Sequence, residues 1–301
     1  PRRRVEWTGL RGRGVESTAV RSESGKLPES SPTGCICRSR DGNDERYYVC
    51  PAAKRAAGRP SDTLRPLGST LPQRPRYRRG AATMYDDVAY ETDDGIATIT
   101  IDRPDVYNAF THETILELNE AIRRAREDDG VYAIVLTGAG DGFCAGADVS
   151  GMPDWEEMHM EEYAGFLWAV QNVVRQLREA ATPSVAAVNG PAVGAGCDFA
   201  LACDVRIVGP GASLREGFVN VGLVPGDGGG WLLPRLVGEA KAKEYLLTGR
   251  EITPEAAVDM GLAVEEVDEA LAGAREFAEE MRDLPAQAVR HTNRLIDPEQ
   301  S

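Results

Sequence analysis

The sequence predicts an α/β fold over residues 84–301, with short strands and helices in alternation. Three observations carry this. Apolar runs of strand length alternate with stretches of 3.6-residue apolar period, the pattern of strand–helix units that share a sheet. The charge balance breaks at Met84: residues 1–83 hold 18 Lys/Arg against 8 Asp/Glu, and residues 84–301 hold 16 against 40. Two loops made largely of Gly and Ala, 138–149 and 189–198, each follow a predicted strand.

The elements follow in order. Residues 88–91 and 96–101 alternate apolar and polar around Asp93-Asp94-Gly95, which predicts a β-hairpin. Residues 111–127 place Ile115, Leu116, Leu118 and Ile122 at helical spacing, with acid early in the helix. Residues 132–136 form a short apolar run that ends in the first Gly-rich loop, a buried strand. A long helix over 161–180 carries Tyr163, Phe166, Leu167, Val170, Val173, Val174 and Leu177 in one stripe, which reads as core packing. Strands at 184–188 and 205–208 bracket a helix at 194–202. Helices at 229–236, 239–247 and 254–260, a strand at 262–267 and a helix at 269–284 complete the pattern. No internal repeat is visible.

Residues 1–83 read differently. They are rich in Arg, Pro, Gly and Ser and show no sustained apolar period, so little surface is available to offset the entropy of ordering. No regular structure is expected there. Met84 is expected to be the natural start, with 1–83 as upstream sequence translated in frame. The acids and prolines disfavour a transit peptide. A basic nucleic-acid arm is the other reading, without an aromatic platform to support it.

The remaining residues carry a net charge of −24, which repels polyanions, so no nucleic acid is expected to bind 84–301. Scarce Lys and abundant Asp/Glu suggest an acidic surface of the halophile type. Cys35, Cys37 and Cys50 lie in the first segment; Cys144, Cys197 and Cys203 sit among apolar residues and read as reduced thiols of a cytoplasmic protein. His112, His159 and His291 are scattered, and no metal site is predicted. No apolar run approaches the ~20 residues of a membrane span.

The two Gly/Ala-rich loops point to chemistry. Small residues let a backbone approach a ligand closely, and a helix N-terminus offers unpaired N–H groups. Two such loops can aim two donors at one carbonyl oxygen and form an oxyanion hole. A dinucleotide fingerprint fails, because Gly138 and Gly140 are followed by Phe143 where a third glycine is required. No phosphate-binding G-x-x-x-x-G-K-S/T occurs either.

Residues 84–295 resemble the crotonase superfamily, the enoyl-coenzyme A hydratases and isomerases, in features that occur in order. These are Arg103-Pro104 with Asn108-Ala109; Phe143-Cys144-Ala145-Gly146-Ala147-Asp148; Asn189-Gly190 through Leu201-Ala202-Cys203-Asp204; and Gly222-Leu223-Val224-Pro225-Gly226 ahead of Leu233-Pro234-Arg235-Leu236-Val237-Gly238. Leu247-Thr248-Gly249 and Gly261-Leu262-Ala263 continue the match. The resemblance implies a crotonase-like spiral of ββα units with shortened C-terminal helices, and an acyl-CoA thioester as substrate. It places the backbone N–H groups of Ala147 and Ala195 in the oxyanion hole. Asp148, Val149 and Ser150 would line the adenine end of the carrier site, with Val106, Tyr107 and Asn108 touching the carrier too. Coenzyme A enters with the substrate, and no other cofactor is expected. A homotrimer or hexamer is implied.

A carboxylate must then move a proton or activate water. Asp198 stands at the first of two hydratase glutamate positions, and Phe218 at the second. Asp227 and Glu216 are nearby substitutes, and the resemblance ranks Asp198 first, Asp227 second and Glu216 third. Helix capping is an equal reading for Asp227, and a solvated surface position is the favoured reading for Glu216. Phe218 would line the acyl pocket. Hydratase/isomerase chemistry is the expectation; a single-carboxylate isomerase, another acyl-CoA hydrolase or lyase, and a non-catalytic acyl-CoA-binding protein are the alternatives.

Overall fold

The computed structural model describes residues 15–17, 35–39, 47–50, 85–148, 150 and 159–296. The chain divides into two units, Pro1–Tyr77 and Arg78–Ser301. In the first, β1 (Val15–Ser17), β2 (Cys35–Ser39) and β3 (Tyr47–Cys50) form an antiparallel sheet in that order. The sequence predicts no regular structure there, because strands this short leave no sustained alternation to detect. The other residues of this unit, and residues 78–84 with Met84, lie outside the described residues.

The second unit carries the α/β fold. The hairpin β4 (Val88–Asp93) and β5 (Ile96–Ile101) closes through Asp94 and Gly95, both at positive φ. Helix α1 (His112–Glu127) begins at a reciprocal cap. Thr114 N–H donates to Thr111 Oγ1 at 3.2 Å, and Thr111 N–H donates to Thr114 Oγ1 at 3.1 Å. Then come β6 (Ala133–Gly138), α2 (Met160–Arg178), β7 (Ser184–Val188), β8 (Pro191–Val193) and α3 (Ala195–Ala202). Strands β9 (Val205–Val208) and β10 (Ser213–Arg215) lead through a 3-10 turn, Gly217–Val221, into α4 (Gly229–Val237). The rest is α5 (Glu239–Thr248), α6 (Pro254–Asp259), β11 (Glu265–Glu266), α7 (Ala270–Glu279) and α8 (Ala286–Ile296).

The main sheet has the order β11-β9-β7-β6-β5-β4 and is parallel except for the β4–β5 hairpin. Strands β8 and β10 pair in a second, parallel sheet, and Cys144 bridges to Ala192 alongside it. Each of β6, β7 and β9 is therefore followed by a short extended segment and then a helix, the repeating ββα unit. One large core gathers Ile99, Leu118, Leu136, Leu177 and Leu201, all fully buried, from the sheet and α1 to α3. A smaller core sets Ile96, Val135, Val185 and Ile207 against Ala270, Ala274 and Ala278 of α7. Each buried Leu or Ile contributes roughly 1.5–3 kcal/mol.

Three elements differ from the sequence prediction. The strand predicted at 262–267 shrinks to two residues, because Leu262 and Ala263 N–H both donate to Ala257 O and close α6 instead. The helix predicted to 284 stops at Glu279. Helix α8 was not predicted; Asn293 Nδ2 donates to Asp204 at 3.2 Å and Arg290 Nη2 to Val131 O at 3.1 Å, tying it to the second unit.

Candidate active site

The two Gly/Ala-rich loops meet. Ala147 forms a parallel bridge with Phe110: Phe110 N–H donates to Gly146 O and Asp148 N–H to Phe110 O, each at 2.8 Å. Those bonds use the groups on either side of Ala147 and turn its own N–H away from Phe110. Ala195 opens α3, and first-turn N–H groups have no acceptor within their helix. Among the described residues, neither alanine N–H donates to a backbone carbonyl. Hydrogen bonds zip the loops together: Cys144 N–H to Pro191 O at 3.0 Å, and Val193 N–H to Cys144 O at 2.9 Å. Gly196 permits this approach, since a Cβ there would stand 2.1 Å from Cys144 O.

A cavity of about 440 Å³ lies in front of both alanines. Phe166, Val170, Phe218 and Asp227 are among its other walls. The Phe218 ring stands 3.5 Å from where a Gly194 Cβ would be, so the phenyl group packs beside the second loop on the cavity wall. The α2 stripe is corrected here. Val173, Val174 and Leu177 are core, but Tyr163, Phe166 and Leu167 line the cavity. A core and a ligand pocket demand the same apolar face, so periodicity cannot separate them.

The three acids are brought together, in a different order from the one expected. Asp198 is fully buried. Glu216, expected to be solvated, is only 2 % exposed. A Cβ on Gly229 would stand 2.5 Å from Asp198 Oδ1 and 2.4 Å from Glu216 Oε1, so the two carboxyls flank the first residue of α4. Among the described residues no well-formed hydrogen bond reaches either carboxyl, although the Gly229 N–H faces Asp198 and the Cys197 thiol faces Glu216. Burial, then the like charges of Glu216 and Asp227, hold Asp198 well above the ordinary carboxylate range. Burial pushes Glu216 up to about 7, against the opposing contacts of Cys197 and Asp198.

Asp227, not Asp198, reaches the cavity wall. Burial raises it to about 6, and its Oδ1 has no hydrogen-bond partner among the described residues. The capping reading does not hold: the N-cap of α4 is Gly228, with no side-chain cap. Gln171 Nε2 of α2 donates to Gly226 O at 3.0 Å and pins the loop that carries Asp227. Asp227 also borders a second cavity, of about 630 Å³, with Arg126, Arg175, Arg178 and Trp231.

The sequence profile of the enoyl-CoA hydratase/isomerase family matches residues 91–298. The chain belongs to that family. A Mycobacterium tuberculosis protein named probable enoyl-CoA hydratase is 41% identical over 210 residues, 68% of this chain and 79% of the relative. The 1,2-epoxyphenylacetyl-CoA isomerase of Escherichia coli is 33% identical, over 69% of this chain and 76% of that protein. The crystal structure of an enoyl-CoA hydratase from Bacillus anthracis superposes with a TM-score of 0.67 at 30% identity, covering 70% of this chain and 83% of that one. The fold is the crotonase fold, and the protein is an acyl-CoA enzyme of the hydratase/isomerase type.

Within this family member the expected carrier segment divides. Asn108 is fully buried, and its amide donates to Ala139 O at 2.9 Å and Gly142 O at 2.7 Å. It therefore staples the first loop, a correction to its expected contact with the carrier. Val106 and Tyr107 are exposed and lie outside the cavity wall; the Tyr107 carbonyl accepts from Ala145 N–H at 3.0 Å. Asp148 accepts from Ser150 Oγ at 2.5 Å and pairs with Arg103 at 3.1 Å. The Ser150 hydroxyl, more than Arg103, lowers its carboxyl. Val149 lies outside the described residues.

Sequence reasoning missed Arg215 and Asn220 on the cavity wall. Arg215 donates to Gly249 O at 2.8 Å and Asn220 Oδ1 at 3.1 Å. No motif signals them, because they sit on a three-residue strand and a 3-10 turn. Among the described residues no cluster of His, Cys, Asp and Glu is arranged to hold a metal ion, and no helix is long and apolar enough to cross a membrane.

Proposed function

We propose that this family member shifts a double bond in an enoyl-CoA thioester, with Ala147 and Ala195 N–H polarising the carbonyl and Asp227 moving the proton. The observation that carries the reading is that Asp227 alone of the three acids shares a cavity wall with both alanines. Two donors on the thioester oxygen stabilise the enolate and make the adjacent C–H acidic. Asp227 takes one proton from carbon and returns one to another carbon of the same chain. With Phe218 at the second hydratase position, no second acid among the described residues lines the cavity, which favours proton transfer within the acyl chain over water addition.

Hydration is the second reading, and two observations favour it. Relatives at 36–41% identity are named hydratases, and the second cavity reaches Asp227 from another side, where water can approach. A 3-enoyl-CoA and crotonyl-CoA distinguish the readings. Isomerisation creates conjugated absorbance from the first; hydration removes it from the second. Turnover of crotonyl-CoA alone would overturn the preferred reading.

Coenzyme A is proposed to enter only as part of the substrate. A trimer or dimer of trimers in the cytoplasm is also proposed. Exposed Val221, Val224 and Leu247 support a self-association surface. A monomeric mass in analytical ultracentrifugation would contradict it.

A further inference from the structure

We propose that the second cavity binds the far end of the substrate's acyl chain and takes a terminal carboxylate there, so that the preferred thioester carries an anionic tail. The assignment rests on the reading of Asp227 as the acid that faces the acyl chain. Two observations carry it, one of position and one of charge.

Gly226 and Asp227 border both cavities, so the two spaces meet along one short segment. Gln171, on the wall of the second cavity, holds that segment through its bond to Gly226 O at 3.0 Å. In the proposed reaction the thioester oxygen lies at Ala147 and Ala195, and Asp227 meets carbons beyond it. Space on the other side of Asp227 therefore lies toward the end of the acyl chain and away from the carrier. At about 630 Å³ it is larger than the first cavity and holds far more than a single water.

The charge of its wall is unlike that of the rest of the unit. Residues 84–301 hold 16 Lys/Arg against 40 acids, so a basic side chain has many acids to pair with. Yet Arg126, Arg175 and Arg178 all line this cavity. Arg178 also acts on the buried Asp204. Among the described residues neither Arg126 nor Arg175 has a carboxylate within ion-pair distance. Arg126 Nη2 donates to Glu179 O at 3.4 Å, and the Arg175 guanidinium lies 5.6 Å from the Trp168 ring centroid, so both keep further N–H groups to offer. Against the three arginines the wall sets Asp227 and Glu179, which leaves it positive on balance. A guanidinium fork matches a carboxylate in shape and charge. Val174 and Trp231 add an apolar flank for the methylenes that precede the carboxylate. A tail seated there also occupies the side from which water would approach Asp227, in agreement with proton transfer within the chain.

Calorimetric titration of the full chain with saturated thioesters tests the site, because such binding needs no proton transfer. Glutaryl-CoA and suberoyl-CoA carry the terminal carboxylate; pentanoyl-CoA and octanoyl-CoA are neutral partners of equal length. Without a site for it, the extra charge should weaken binding to so acidic a protein. With the site, at least one carboxylate should bind about tenfold more tightly than its neutral partner. Arg126→Gln/Arg175→Gln should erase that preference, and Arg175→Gln alone should reduce it by about threefold. Equal or weaker binding of both carboxylates, or a preference that survives in the double variant, would overturn the site. The wild-type comparison and the exposed Arg175→Gln decide the matter if the double variant fails to fold. Inorganic phosphate separates a tail from a free ion: octanoyl-CoA that binds more tightly in its presence would give the cavity to a separate anion and overturn the tail. Full activity of Asp227→Asn would instead overturn the reading of Asp227 and leave the affinity ratios intact.

Discussion

In the proposed reaction the chemistry turns on Asp227, which combines a place on the cavity wall with a pKa raised to about 6 by burial. A base must be ionised, so kcat/KM should fall as pH drops through about 6. Asp227→Asn keeps the shape and removes the proton acceptor; a loss of about 10²–10⁴ in kcat is expected, with acyl-CoA binding retained. Steady-state kinetics with parallel calorimetric titration of the ligand would check both. Glu216 makes a second prediction, about stability. Its native value of about 7 lies above the ordinary ~4.3 of an unfolded glutamate. Between those values the native state holds a proton that the unfolded state has released. Stability from this residue is therefore full at low pH and lost as pH rises through about 7. Glu216→Gln removes the titration, so its melting temperature should gain on the wild type from pH 5 to pH 8. A gap that stayed constant or narrowed would contradict the burial of that charge.

At the scale of elements, the two Gly/Ala-rich loops were legible and the acid arrangement was not. The two loops follow from small residues beside strands and a helix start; the resemblance singled out the N–H groups of Ala147 and Ala195 within them, and among the described residues neither donates to a backbone carbonyl. The long strands and helices were legible too, since Ile96–Ile101 and His112–Glu127 are long enough to show their periods. Glu216 was misread because its burial depends on how β10 and the 3-10 turn fold toward α4, and segments of three and five residues carry no periodic signal. The front of α2 was misread because cavity and core look alike from sequence. The proposed hole allows a test of a single donor. Ala195 is the first residue of α3, where proline is tolerated, and it follows glycine. Ala195→Pro deletes one N–H donor, so kcat should fall by about 10²–10³ while circular dichroism and melting temperature hardly change. Undiminished turnover would remove Ala195 from the hole.

Over the whole molecule, charge is the dominant long-range term. Residues 84–301 carry 40 acids against 16 Lys/Arg, so most acids have no cation to pair with. The pairs that form, such as Arg123 with Glu120 and Glu127 or Lys241 with Glu244, are solvent-exposed on helix surfaces. Such pairs are worth little each. Salt acts on both sides of this balance: it weakens the pairs and screens the repulsion among the excess acids. The screening length falls from about 10 Å at 0.1 M to about 3 Å at 1 M. Because acids outnumber bases more than twofold, relief of repulsion should win. Full-length protein should therefore melt higher in 1 M than in 0.1 M salt, by roughly 3–6 °C if screening recovers about 1–2 kcal/mol in a unit of this size. Sodium and potassium chloride should act alike, since screening depends on ionic strength and not on the cation. Calorimetry across that range decides it. A melting temperature that fell with salt would show that the surface pairs outweigh the net charge, and the acidic surface would then need a different account.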